Sequence, residues 1–263
     1  MNALKPLVLA ASSMLLLVGC GQPASRLGSE GSLKTAVPVD SGAYGFPVQP
    51  GMPEWALFNS HETMLAALQV PEATLNAMST ADLVETCLTY PLFMDVFAYD
   101  DPQQGFDHVS QEFNGLTELL YRPDAATILL SRYKRMDPSA IDPAWGLKEQ
   151  GDFGFEFKKV ELLLSQEELL NTLSRDELVE LLVEGGVKAD LKRSRDEIFG
   201  AWGRASTARM VGRVSITLGD ATASPSTADF LSRGAWPGDV TIDEVLANGA
   251  LLARKPSQNG GDR

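Results

Sequence analysis

The sequence predicts an all-α fold, an irregular array of about eight short helices with a hint of stacking as helix pairs. Three observations carry this expectation. Apolar residues between Asn59 and Leu218 recur at helical spacing, Ser-x-x-acid signatures stand before several apolar runs, and strand signals are scarce. Ser60 is the first candidate cap. Ser79–Asp82 is a looser one, followed by a stripe of Leu83, Val84, Cys87 and Leu88 that ends at Pro91. Asp100-Asp101-Pro102 reads as a turn or helix cap before a face of Phe106, Val109 and Phe113. Asn114-Gly115 reads as a tight turn between helices. Leu129, Tyr133 and Met136 form the next stripe, bounded by Pro123 and Pro138.

Phe153, Phe157, Val160 and Leu164 make a longer stripe. Ser165–Glu168, Ser174–Glu177 and Ser194–Glu197 fit the capping box, in which each side chain satisfies a backbone donor at the helix start. Gly185-Gly186 is expected to stop the helix that carries Leu178, Leu181 and Leu182. The alternating run Val214–Leu218 follows Ala208, Met210 and Val211 and is taken as a helix end. After Gly219 a linker-like stretch leads to Thr241–Glu244, the expected start of one short helix through about Arg254, and then to a polar tail from Pro256. The runs after Ser79 and Ser174 share Leu-Val-Glu, which hints at paired helices. No fixed period persists, so a regular repeat array is not expected.

The N-terminus has a different character. Lys5 precedes an apolar run from Leu7 to Val18, and Leu17-Val18-Gly19-Cys20 closes it before a Gly/Ser/Pro-rich stretch. The run falls short of the roughly 20 apolar residues that span a bilayer and suits an export signal. This segment resembles the signal peptide of bacterial lipoproteins. The resemblance implies cleavage between Gly19 and Cys20, lipidation of Cys20, and a membrane anchor in the cell envelope; an ordinary secretory signal and an uncleaved anchor are the alternatives. The expected organisation is a signal peptide over 1–19, a tether over 20–53, an all-α globular domain over 54–219, and a linker, one short helix and a polar tail over 220–263. Such a tether would hold the domain roughly 30 Å from the lipid. Tyr44, Phe46 and Trp55 suggest that its last part docks on the domain.

With 44% hydrophobic residues the chain can bury a core, and its formal net charge is −13. Cleavage of the signal would remove one lysine and no acid, leaving it more acidic still. That balance excludes a nucleic-acid partner, whose phosphates require clustered Lys and Arg. If Cys20 is acylated, Cys87 has no partner within the chain. It is expected as a buried thiol packing as a small hydrophobe.

Between Met78 and Pro138 stand Met78-Ser79-Thr80, Leu83-Val84-Glu85-Thr86-Cys87-Leu88, Tyr90-Pro91-Leu92, Gln104-Gly105-Phe106, Phe113-Asn114-Gly115-Leu116, Asp124-Ala125-Ala126, Tyr133-Lys134 and Met136-Asp137-Pro138. This string resembles a family of exported bacterial helical proteins. It implies a helical exported domain and brings neither an activity nor site residues.

The side chains that could carry chemistry are few. His61-Glu62 opens like a zinc-protease motif, but Leu65 stands where the second histidine is needed, so His61 is expected as a first-turn surface residue. His108 and Glu112 lie four apart and could present an imidazole and a carboxylate on one helix face, with Asp100, Asp101 or Asp107 close in sequence; zinc takes three or four such ligands. The simpler reading is a solvated i,i+4 pair. Ser131-x-x-Lys134 matches a fragment of penicillin-interacting enzymes, but their Ser-Asp-Asn and Lys-Thr-Gly partners are absent. Tyr90, Asp100 and Asn114 are the remaining surface candidates. No cofactor motif is present, and none is expected. The expectation is a non-enzymatic, lipid-anchored helical module that binds a protein, peptide or glycan. The alternatives are an envelope hydrolase or metal-dependent enzyme centred on His108 and Glu112, and a structural envelope lipoprotein.

Overall fold

The structure, a computed structural model, describes residues 42–220, 224–234, 236 and 238–255. The expected signal peptide, Cys20 with its cleavage site, the tether up to residue 41 and the polar tail lie outside the described residues. Regular structure among the described residues is entirely helical. The helices are α1 (His61–Ala67), α2 (Glu72–Ala77), α3 (Thr80–Leu88), α4 (Pro102–Glu112), α5 (Asn114–Tyr121) and α6 (Ala125–Arg135). Then come α7 (Leu147–Leu163), α8 (Glu167–Leu170), α9 (Arg175–Arg193), α10 (Asp196–Thr217), α11 (Pro225–Arg233) and α12 (Asp239–Ala253). Short 3-10 turns occupy Pro53–Leu57, Phe93–Ala98 and Pro138–Ala140. The all-α class is as expected, but the described residues form twelve α-helices, ten of them seven residues or longer, where about eight were expected. None is long and apolar enough to cross a membrane.

Helix starts follow capping chemistry where the backbone before them is extended. Ser60, Ser79, Asp101 and Ser174 accept the backbone N–H of the residue three positions on, and Ser174–Glu177 forms the complete capping box. Two predicted boxes do not form. Ser165 is buried, and its hydroxyl donates back to the Glu161 carbonyl, so α8 starts after Gln166. Ser194 has helical backbone and closes α9, donating to the Leu191 carbonyl. Gly185-Gly186 does not stop α9 either. The helix runs on to Arg193, and a Cβ at Gly185 would meet Val211 Cγ2 at 2.5 Å, so the glycine lets α9 and α10 approach closely.

The C-terminal segment holds two helices where one was expected. Ser224 caps α11 with Pro225 at its first position, a start signal hidden in the linker-like stretch. α12 starts at Asp239, ahead of Thr241.

α9, α10 and α12 pack together, and α7 packs across α10. α3 packs on α5, α6 and α7, and α4 lies on the turn Phe93–Ala98, with α11 reaching from α10 to α4. At that turn a Cβ on Gly105 would stand 2.0 Å from the Val96 carbonyl oxygen, so only glycine admits the contact. The main core runs through Phe93, Phe113, Leu116, Leu129, Phe157 and Leu181, all essentially buried, and a smaller separate one under α11 and α12 holds Ala208, Phe230, Leu231, Ile242 and Val245. Each of these Phe, Leu, Ile or Val side chains contributes about 1.5–3 kcal/mol. As expected, the segment before the domain docks on it: the Tyr44 N–H donates to Thr86 Oγ1 at 2.9 Å, and buried Phe46 packs on Tyr90 and Phe113. Cys87 is a buried free thiol.

Candidate functional site

Helical spacing on two long elements builds the main cavity. On α7, Phe155, Lys158 and Leu162 share one face; on α10, Trp202, Ser206 and Arg209 share another, just past a kink at Gly200. Where the two faces diverge they enclose, with Phe97, Tyr99 and Asp100 on one side and Phe230, Gly234 and Trp236 on the other, a cavity of about 300 Å³. A second cavity beneath α11 and α12 measures about 30 Å³, room for one water.

The walls are aromatic. The Trp202 and Trp236 rings lie with centroids 4.5 Å apart at a tilt of 46°, and both side chains are exposed. Phe97 and Phe155 meet at 5.7 Å deeper in the wall. Two cations interrupt them. Lys158 Nζ stands 4.6 Å from the Phe155 ring centre, and burial, with Lys192 nearby, pulls its pKa below the ordinary lysine value. Arg209 is 4% exposed. Its guanidinium donates to Gln103 Oε1 at 2.6 Å and to the Ser232 carbonyl at 3.3 Å, while its Nε is buried without a partner. Burial and the Arg213 charge bring its pKa down to about 10. Gln103 in turn donates to Gln166 Oε1 at 3.0 Å, so an amide chain from α4 fixes the arginine. Gly234 ends α11 with φ 78°, and a Cβ there would sit 3.3 Å from Arg209 Nε.

The histidines form a separate group. His108 Nε2 lies 3.2 Å from Glu112 Oε1, as the i,i+4 spacing predicts, and His61 Nε2 lies 3.6 Å from Glu112 Oε2. His61 is exposed in the first turn of α1, as expected, and α1 also brings it against the end of α4, so that one carboxylate is flanked by two imidazoles. Among the described residues no group of three or more His, Cys, Asp and Glu side chains is placed to hold a metal ion. Tyr99 separates this group from the cavity, its ring 5.1 Å from that of His108.

The other candidates separate. Asp101 caps α4, and Asp100 is exposed at the cavity edge. Tyr90 is corrected from a surface residue to a buried one: it stacks on Phe113 at 3.9 Å, and its hydroxyl has no hydrogen-bond partner. Asn114 is structural. Its side chain accepts the Val70 N–H at 3.0 Å and donates to the Val70 carbonyl at 2.7 Å, pinning the loop between α1 and α2 to the α4–α5 junction.

Trp202, Trp236, Lys158 and Arg209 were not singled out in the sequence. The spacing of the α7 set (i, i+3, i+7) and of the α10 set (i, i+4, i+7) was visible, but that the two faces meet is decided by tertiary packing. Comparison with protein-family models, curated proteins and solved structures finds no match to this chain.

Proposed function

We propose that this chain is a lipid-anchored envelope protein that works as a non-enzymatic binding module and holds a small ligand in the cavity between α7 and α10. The observation that carries this reading is the paired, exposed Trp202 and Trp236 at the mouth of an aromatic cavity of about 300 Å³. Concave, mostly apolar sites with a few placed polar groups are the usual form of a ligand site, and this volume lies at the small end of their range. The Leu17-Val18-Gly19-Cys20 motif supports the anchor. The enzyme reading is less well supported, because His61, His108 and Glu112 do not line the cavity. Isothermal titration calorimetry of the full chain with 2-naphthalenemethanol, a neutral flat probe, tests the proposal. Saturable heat is expected, and it is lost in the Trp202→Ala/Trp236→Ala variant. No saturable heat, or heat unchanged in that variant, overturns it.

A further inference from the structure

We infer that the ligand is a small monocarboxylate with a flat apolar body, its charge met by Lys158 and Arg209. The inference rests on reading the cavity as a binding site and adds the ligand's chemistry. Six lysines lie between residues 134 and 192, and five of them are ion-paired: Lys134 with Glu180, Lys148 with Asp152, Lys159 with Glu156, Lys188 with Glu184 and Lys192 with Glu161. Lys158, the one in the cavity wall, has no carboxylate partner among the described residues.

Arg209 repeats the pattern. Its guanidinium is held by two neutral oxygens, from Gln103 and Ser232; Asp101 and Asp107 act on it only from beyond ion-pair distance. In a chain with 35 acidic and 22 basic residues, the two cations lining one cavity both lack an ion-paired acid among the described residues. A buried charge is costly unless paired, so an anion entering the cavity gains what the protein itself withholds. The unpartnered Arg209 Nε supplies a directed donor for it.

Among the described residues Asp100 is the one acid in the lining, against the two positive charges of Lys158 and Arg209. That balance suits a monoanion and disfavours a phosphate monoester. The body of the ligand follows from the walls. Trp202, Trp236, Phe97 and Phe155 line the cavity with aromatic rings, which reward a flat apolar group.

The experiment compares 2-naphthoate with 2-naphthalenemethanol by calorimetry on the full chain. The two probes share a ring system and differ in charge. Naphthoate is expected to bind about tenfold tighter or better, the scale of a charge-assisted hydrogen bond. Lys158→Met should bring the ratio of the two affinities close to one; Lys158→Gln gives the same readout should the methionine variant misfold. Equal affinities for the two probes, or an unchanged naphthoate affinity without Lys158, overturn the inference and leave the binding site standing. No saturable heat with either probe overturns both.

Discussion

Lys192 places its ammonium where no solvent reaches, and the protein surrounds it with oxygen. Glu161 supplies both carboxylate oxygens at 2.7 and 2.9 Å, Thr207 its hydroxyl at 2.9 Å and Gly203 its carbonyl at 3.1 Å. Tyr133 and Thr207 each donate to Glu161 Oε1 at 2.8 Å, so α6, α7, α9 and α10 meet at one carboxylate. Burial pulls the lysine's pKa down, and Glu161 offsets part of that. A buried pair is a weak source of net stability, yet removing one partner strands the other. Lys192→Met is therefore expected to cost about 3–5 kcal/mol in urea unfolding. Glu161→Leu/Lys192→Met should be more stable than either single variant, because no charge is left uncompensated. A double variant weaker than both singles would mean that the network contributes directional bonding rather than charge balance. In the sequence Glu161 is one acid inside the apolar run Val160–Leu164, and nothing local names a partner 31 residues away.

Helix boundaries show where local chemistry decides and where it yields. Ser165, Ser174 and Ser194 carry the same Ser-x-x-Glu signature and end in three different roles. Ser174 has φ −65° and ψ 160°, the extended backbone from which a hydroxyl can reach the N–H three residues on. Ser194 has φ −70° and ψ −7°, still helical, because only it and Arg195 join α9 to α10. Ser165 follows α7 directly and bonds back into it. The motif states that a cap is affordable, and the preceding backbone determines whether it forms. Ser174→Ala is expected to cost about 1 kcal/mol, and Ser194→Ala, which removes no cap, to stay within about 0.5 kcal/mol. Chemical unfolding of the two variants side by side checks the contrast. Equal losses would show that the intact box at α9 adds nothing. Gly185-Gly186 teaches the same lesson, since a stop signal in sequence becomes a close approach once α10 lies against it.

At the scale of the molecule, the helical class was legible because a 3.6-residue period needs only one chain segment to be seen. The cavity was not, because it exists only where α7, α10, α11 and the turn before α4 converge, and Trp202 and Trp236 lie 34 residues apart. One property belongs to the assembled core as a whole. Burial raises the pKa of the Cys87 thiol, and of the Tyr90 and Tyr133 phenols, above their ordinary values of 9.0 and 10.0. For Tyr90 the charges of Glu112 and Asp95 add to burial, and for Tyr133 those of Glu161 and Glu184 do. An unfolded chain releases these protons from pH about 9 upward, while the folded chain keeps them. The folded state then binds more protons than the unfolded one, so stability falls as pH rises. The stabilisation is whole below the thiol's ordinary value, begins to fall past it, and falls more steeply once the phenols join. In urea midpoints measured from pH 8 to 11 that two-stage loss runs against a gain from Lys158 and Lys192, whose pKa values lie below the ordinary lysine value. Cys87→Ala should remove the first stage, so that the decline starts about one pH unit later, whatever the variant's own offset in stability. A difference between the two proteins that holds constant to pH 11 would mean that water reaches Cys87 in the folded chain.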